Sequence, residues 1–330
     1  MKLKMYIFQR LVLLVPLLLI VSLIMFTLVY LCPGDAVDRS MQLEQVVRDK
    51  PNLEEYLKMK EIFGLDEPWH VQYYCWLRQA VQGNLGYSFF TGRPVLNEIM
   101  ARIPNTLSYQ ILALVLSIAI AIPAGVISAL KQNTLTDTYV IMGSLFGASF
   151  PPFVTGLLLI LLFTLVLGWF PWGGIHSLDY IGNVPHDFWY YLDYVKHLML
   201  PTLVMTVATV GYTARLVRSS MLTVLKEDYI LTARSKGLKE RVVIYKHALK
   251  NAILPIITVI GLRVAILLGG APVVERVFSW PGLGTYFVQA VWYRDYFAMV
   301  AASLILSVLI LAVNLVVDIS YKFLDPRVEL

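Results

Sequence analysis

The sequence predicts an all-α protein that crosses a membrane several times, and three observations lead to this fold class. Of the 330 residues, 58% are hydrophobic and 15% are charged, whereas soluble domains carry about 25% charged residues. The apolar residues are clustered into runs that can cross a bilayer, for which a helix needs about 20 of them. The formal net charge is +5, and the basic residues are concentrated in alternate loops, which is typical of loops that face the cytoplasm.

Six apolar segments are predicted to span the membrane. They cover residues 11–31, 111–130, 139–168, 198–214, 252–274 and 296–317. The first is expected to be retained rather than removed as a signal peptide, because its apolar core exceeds the usual ~7–15 residues and no small-residue cleavage site follows. The third is too long for a straight crossing, and the sequence Ser149-Phe150-Pro151-Pro152 is expected to bend it.

The distribution of basic residues predicts which side of the membrane each loop faces. An even number of crossings places both termini on the same side. Lys and Arg are frequent in residues 215–251 and rare in the short loops 169–197 and 275–295. Since basic loops remain in the cytoplasm, the termini and residues 215–251 are predicted to be cytoplasmic. All seven Trp residues then lie on the outer side, where several can anchor helix ends at the membrane interface.

The segment 32–104 lies outside the membrane between the first and second predicted spans. Asn52 and Glu55 have the spacing of a capping box, which opens a helix that ends near Gly64. A second helix is predicted from Pro68 to Gly83, with an aromatic and apolar face. Together they predict a small helical cap. This cap either forms a docking surface or vestibule wall, or only covers the helix ends.

The most informative segment is the inner loop, residues 227–251, with the sequence EDYILTARSKGLKERVVIYKHALKN. Gly237 is predicted to end one helix in a left-handed turn. A second short helix follows, with a predicted apolar stripe formed by Leu238, Val242, Tyr245, Leu249 and Ala252. An amphipathic helix of this kind lies on the anionic membrane surface or inserts into a groove of a protein partner.

The sequence lacks the motifs of several chemistries. It contains no G-x-x-x-x-G-K-[ST] loop for nucleotide phosphates, no H-E-x-x-H motif and no cysteine cluster. His176, His186 and His197 are spaced too widely to share one helical turn. We therefore expect no catalytic residue, no metal site and no cofactor bound by this chain. Arg263 is the only charge well inside a predicted span, and it either pairs with a neighbouring helix or faces a water-filled path.

The inner loop resembles the EAA-type loop of ABC importer permeases, in particular that of the dipeptide/oligopeptide permease family. The resemblance covers nearly the whole chain. It is carried by short segments in a specific order, namely CPGD at 32–35, FGLDEPWHVQYYCWL at 63–77, GNLGYSF at 83–89, PVLNEIMARIPNTL at 94–107, SFPPF at 149–153, LPTLV at 200–204, DYILTARSKGL at 228–238, HALKNAILP at 247–255 and VFSWPGLGTYFVQAV at 277–291. The E-A-A triplet is replaced by Leu231-Thr232-Ala233, a departure similar to that of the peptide-type subfamily.

The resemblance implies the type I ABC importer permease fold, with six transmembrane helices. Its implied parts are a cytoplasmic N-terminus and first helix at 1–31, a helical extracytoplasmic insertion at 32–104, and a five-helix core at 105–330 with a coupling loop at 218–251. The implied location is the cytoplasmic membrane of a bacterium or archaeon. The implied partners are a second, homologous permease subunit, two cytoplasmic ATPase subunits that bind ATP and Mg, an extracytoplasmic peptide-binding protein and membrane lipid, but no nucleic acid.

The resemblance also implies the sites. The inner loop becomes a coupling helix in an ATPase groove. Its implied contact residues are Asp228, Tyr229, Ala233, Lys236, Gly237, Leu238, Val242 and His247. Arg263, Phe150, Pro151 and Phe153 are candidates for the translocation path, the three aromatic and proline positions by location alone.

Several functions remain open at this point. The same architecture serves for the import of nickel, glutathione or oligosaccharides, because the binding protein largely sets the cargo. An ion-coupled secondary transporter is disfavoured by the near absence of buried acids and of a visible inverted repeat. A membrane scaffold without a transport role is the third possibility.

Overall fold

The computed structural model describes residues 3–31, 67–180, 187–253, 256–257, 261 and 271–324. Within these ranges the chain is helical apart from turns and one bridging pair, Tyr87 with Pro94. The all-α fold class is therefore confirmed. The predicted cap helix at 52–64 and Arg263 lie outside the described residues, as does most of the fifth predicted span.

The described helices follow the chain in this order: α1 (Leu3–Leu31), α2 (Trp69–Val81), α3 (Val95–Leu130), α4 (Leu135–Ser149), α5 (Pro152–Leu159, continued by the π-helical Ile160–Val166), α6 (Phe188–Val224), α7 (Asp228–Ser235), α8 (Glu240–Val242, continued by the π-helical Val243–Ala248), α9 (Pro272–Val277), α10 (Leu283–Tyr293) and α11 (Tyr296–Leu324). A single 3-10 turn, Leu178–Tyr180, precedes α6.

Four of the described helices, α1, α3, α6 and α11, are long and apolar enough to cross a membrane. Helices α4 and α5 pass the same test only as a pair, because the chain bends by 98° between them. This bend confirms the prediction that Pro151 and Pro152 interrupt the third span. Proline lacks an N–H group and disfavours helical backbone in the residue before it, and Phe150 is accordingly extended, with φ −91° and ψ 131°.

Helix α6 is much longer than the predicted span at 198–214, and it contains 37 residues. The prediction followed hydropathy and missed the polar ends of the helix. Asp187 caps its N-terminus, because its side chain accepts a hydrogen bond of 2.9 Å from the backbone N–H of Tyr190.

The described chain divides into two compact units, and the first consists of the described residues within 1–106, 269–272 and 281–312. Its core is aromatic and contains Phe26, Trp76 and Phe297, all with no exposed surface. The ring of Phe26 lies 5.2 Å from that of Tyr73 and 5.1 Å from that of Tyr296, in edge-to-face geometry.

A tight turn between Tyr87 and Pro94 is fixed in this first unit by Asp295. The Asp295 carboxylate is 2% exposed and accepts hydrogen bonds from the Ser88 hydroxyl and from the backbone N–H groups of Phe90 and Ala298. Burial raises the pKa of this carboxyl. Asp295 therefore joins the turn to the first residues of α11.

The second unit contains the described residues within 107–268, 273–280 and 313–330, so that α4 to α8 and most of α9 lie in it. Helix α6 packs closely on α4, because a Cβ on Gly211 would overlap the backbone carbonyl of Ser144. A buried carboxylate, Glu275 of α9, accepts a hydrogen bond of 3.1 Å from the Tyr109 hydroxyl. Since a buried carboxylate needs a donor, this bond stabilises the position of α9 beside α3.

Candidate functional site

The inner loop follows directly from the end of helix α6. Only residues 225–227 separate Val224, the last residue of α6, from Asp228, the first residue of α7. Backbone hydrogen bonds from Leu225 N to Met221 O (2.9 Å) and from Glu227 N to Val224 O (3.1 Å) close this turn. Helix α7 is therefore held close to the end of α6.

The turn after α7 has the geometry that the sequence predicts for Gly237. Its φ is +73°. The N–H of Gly237 donates to the carbonyl of Arg234 (2.9 Å), and that of Leu238 donates to the carbonyl of Ala233 (3.4 Å). These two bonds form a Schellman motif, which satisfies carbonyl groups at the end of a helix.

An ion pair connects the helices on either side of this turn. Arg234 Nη2 of α7 donates a hydrogen bond of 2.8 Å to Glu240 Oε1 of α8, and this bond raises the pKa of Arg234. Both side chains are about half exposed, so the pair contributes only ~0–1 kcal/mol.

One face of α7 is buried against the rest of the second unit. Ile230 is fully buried and Ala233 is 6% exposed. They share a hydrophobic cluster with residues of α3, α6 and α8, whose buried members are Val126, Ala129, Val217, Met221, Val243, Ile244 and Ala248. Helix α7 is therefore packed on the ends of α3 and α6 and does not stand free.

In the part of the inner loop that the structure describes, several large apolar side chains of α7, the following turn and the π-helical segment are exposed. Tyr229 is 42% exposed, Leu231 64%, Leu238 40% and Tyr245 59%. We call these four residues the inner docking surface. Exposed basic side chains occur in the same segment, namely Lys226, Arg234, Lys236, Lys239, Arg241, Lys246 and Lys250. Large exposed apolar side chains among charged ones are typical of a site that binds a protein or a membrane surface.

The predicted stripe of the second inner helix is divided between different environments. Leu238 and Tyr245 are exposed, Val242 and Leu249 are half-buried, and Ala252 is buried. Val243, Ile244 and Ala248, which the prediction did not include, are also buried. The backbone of Val243–Ala248 is π-helical, and a π-helix has more residues per turn than the 3.6 on which the prediction was based.

The structure distributes the predicted coupling residues between two environments. Five are exposed, namely Asp228, Tyr229, Lys236, Gly237 and Leu238. Val242 and His247 are half-buried. Ala233 is buried in the cluster with α3 and α6, so its small side chain determines how closely α7 approaches them. Leu231, the most exposed of the four apolar side chains, was missed, although it lies close to Tyr229 in the sequence.

The candidate path residues that the structure describes lie at the bend between α4 and α5. Phe150 is 37% and Phe153 43% exposed, and Pro151 is also exposed. The Phe150 ring packs edge-to-face on Phe146 with centroids 5.0 Å apart. Phe146 and Phe150 therefore form an aromatic pair where the chain changes direction, and Phe153 and Pro151 lie exposed beside it in the sequence.

Two of the histidines considered for a metal site contact the same carboxylate. His176 Nδ1 lies 3.3 Å and His197 Nδ1 3.5 Å from Asp193 Oδ2. The Ser177 hydroxyl donates a further bond of 2.6 Å to Asp193 Oδ1. Among the described residues no group of three His, Cys, Asp or Glu side chains could hold a metal ion. The cluster instead anchors the loop before α6.

Two known protein families together match almost the whole chain. Residues 121–330 match the family described as binding-protein-dependent transport system inner membrane component, and residues 3–110 match the family of its N-terminal part. An oligopeptide transport system permease protein of Bacillus subtilis is 40% identical over 325 residues, covering 98% of this chain and 99% of that protein.

Two further relatives have similar coverage. A di/tripeptide transport system permease protein of Pseudomonas aeruginosa is 39% identical over 335 residues, with 98% of each chain covered. A glutathione transport system permease protein of Escherichia coli K12 is 36% identical over 330 residues, again with 98% of each chain covered.

Proposed function

The chain belongs to the family of binding-protein-dependent transport system inner membrane components, and from this membership we propose that it forms half of the translocation pathway of an ATP-driven importer for dipeptides and oligopeptides. The family consists of ABC transporter permeases with the type I importer fold, so the chain is a transport subunit and not an enzyme. This membership excludes the secondary-transporter and scaffold alternatives.

Peptide cargo is the proposal that the relatives favour. The observation that carries it is the 40% identity to an oligopeptide permease over 98% of this chain, together with the relative named for di- and tripeptides. Glutathione is the second candidate, because a glutathione permease is 36% identical over the same share of the chain. Glutathione is itself a small peptide, so the two candidates differ in cargo size and charge and share one architecture.

The inner docking surface is proposed to bind an ATPase subunit. Tyr229, Leu231, Leu238 and Tyr245 offer exposed apolar area next to basic side chains, and α7 is packed on the helix ends behind it. A groove that grips this surface differently with and without ATP would move α7, since only differential contact shifts an equilibrium. Asp228, Lys236 and Gly237 belong to the same proposed contact, and Val242 and His247 lie at its edge. Ala233 supports it from behind.

The proposal also includes the partner subunits, the membrane orientation and the residues that line the path. ATP and Mg are bound by two partner ATPases, a second permease subunit completes the pathway, and an extracytoplasmic protein delivers the cargo. The segment 32–104 forms the extracytoplasmic cap, and both termini face the cytoplasm. Phe150, Pro151, Phe153 and Arg263 are proposed to line the path.

Reconstitution tests this proposal. The chain is purified with its second permease, its two ATPases and its binding protein, and placed in proteoliposomes that contain ATP. We expect ATP-driven uptake of labelled di- and oligopeptides, and ATP hydrolysis that rises when the binding protein is loaded. Uptake of glutathione in preference to other peptides would replace the cargo assignment. Uptake by this chain alone, driven by an ion gradient, would contradict the proposal as a whole.

A further inference from the structure

A partly buried ion pair connects three helices near the end of α6. Asp137 of α4 is 3% exposed. Its two carboxylate oxygens accept hydrogen bonds of 2.7 Å from Nε and Nη2 of Arg218 in α6. This fork-shaped geometry fixes both position and orientation, because two parallel bonds resist rotation of either side chain.

The same carboxylate also binds the end of α3 and the turn between α3 and α4. The Ser128 hydroxyl donates a hydrogen bond of 2.5 Å to Asp137 Oδ1, and the Asn133 backbone N–H donates one of 3.0 Å to Oδ2. Asn133 has a φ of +62°, a conformation that Asn tolerates better than most residues. Four donors thus hold one carboxylate, and they come from α3, the turn and α6.

Close packing of α3 on α6 surrounds this pair. A Cβ on Gly125 of α3 would lie 2.6 Å from the Ala214 carbonyl oxygen and 2.5 Å from Val217 Cβ. The backbones of the two helices therefore approach to contact distance one turn before Arg218. Helices this close cannot slide without separating, since packed interiors hold few voids.

The ion pair lies a short distance along α6 from the docking surface. Arg218 precedes Val224, the last residue of α6, by less than two turns, or about 9 Å of helix axis. Val217 and Met221 flank Arg218 and belong to the hydrophobic cluster that buries Ile230 of α7. A displacement of α7 thus acts on α6 next to Arg218.

We propose that Asp137 and Arg218 form a positioning pair that joins α6 to α3 and α4, so that a displacement of the inner docking surface moves these three helices together instead of bending α6 alone. The inference rests on the proposed function of that surface. Neither side chain belongs to the docking surface, and the pair acts through the helices. Its bidentate geometry, and not only the neutralisation of two charges, is required for this role.

Replacing Arg218 with lysine separates geometry from charge. Lysine keeps the positive charge but cannot form the fork of two bonds. We expect the Arg218→Lys complex to assemble and hydrolyse ATP, while the number of peptides imported per ATP falls about tenfold, within the ~5- to 150-fold range typical of coupling between two sites. Lys131→Gln is the matched control, because Lys131 is an exposed cation in the turn beside Asp137. It should leave uptake per ATP unchanged.

If the Arg218→Lys complex fails to assemble, a second variant, Ser128→Ala, tests the same role. Ser128→Ala removes one hydrogen bond and leaves both charges paired, and we expect it to lower uptake per ATP by about twofold or more. Unchanged uptake per ATP in an assembled Arg218→Lys complex, or in Ser128→Ala where the former does not assemble, would overturn the positioning role. A wild-type complex without any ATP-driven uptake would instead contradict the proposed function.

Discussion

Gly237 is the single residue on which the shape of the inner loop depends most directly. Its φ of +73° lies in the left-handed region, and a Cβ added there would have no neighbour within 4 Å. A β-branched side chain at this position is thus opposed by the backbone alone, at a cost of roughly 1–2 kcal/mol. We expect Gly237→Val to insert normally into the membrane and to hydrolyse ATP without proportionate peptide uptake, measured as uptake per ATP in proteoliposomes.

Gly168 offers the matched control for this strain. Its φ is +65°, and a Cβ at this position would also have no neighbour within 4 Å. It follows the π-helical segment after α5 and does not belong to the inner loop. Gly168→Val should lower stability by a similar amount while uptake per ATP stays at the wild-type value. Equal uptake per ATP in Gly237→Val and wild type would count against a coupling role for the turn.

At the level of single residues, the sequence predicted backbone features better than side-chain environments. The left-handed Gly237 follows from glycine chemistry and is confirmed. The burial of Ala233 and the exposure of Leu231 could not be predicted, because both depend on which face of α7 packs on α3 and α6. The pairing of Asp137 with Arg218 escaped prediction for the same reason, since 81 residues separate them in the chain.

Helix α6 can pack closely on α4 because a glycine lies at their contact. Gly211 of α6 faces the Ser144 backbone of α4, whereas Gly143 of the same helix α4 has open space around it. We expect Gly211→Ala to push α6 away from α4 and to destabilise the complex by ~1–3 kcal/mol, as overpacked cores do. Gly143→Ala, the control, meets open space inside a helix and should raise stability by up to about 1 kcal/mol, because Ala favours helix more than Gly does. Thermal unfolding of the detergent-purified complex measures both, and equal midpoints for the two variants would refute the packing argument.

The sequence predicted those helices and bends that hydropathy or proline marks. It did not predict helical features that neither signal marks. The bend at Pro151 and Pro152 and the helix before Gly83 are confirmed. The polar ends of α6 and the π-helical backbone of Val243–Ala248 were not predicted, because the first depends on tertiary support and the second on one extra residue in a turn.

For the whole molecule, the orientation in the membrane is the prediction with the simplest test. In a chain whose Cys32 and Cys75 are replaced by serine, single cysteines are introduced at Leu178, which is 85% exposed, and at Gln132, which is also exposed. Because the basic loops are predicted to be cytoplasmic, we expect a membrane-impermeant maleimide to label Leu178→Cys in intact cells. Gln132→Cys should react only after the cells are opened. The reverse pattern would invert the assigned orientation.

The bond between Ser88 and Asp295 also has a consequence for biosynthesis. The two residues are 207 positions apart, and the unit that contains them combines residues before position 107 with residues after position 280. While the ribosome is still translating the middle of the chain, the Ser88 hydroxyl and the Phe90 amide have not yet met their carboxylate. The first unit is therefore completed only when its last helix has left the ribosome, and a truncated nascent chain lacks the acceptor that closes it.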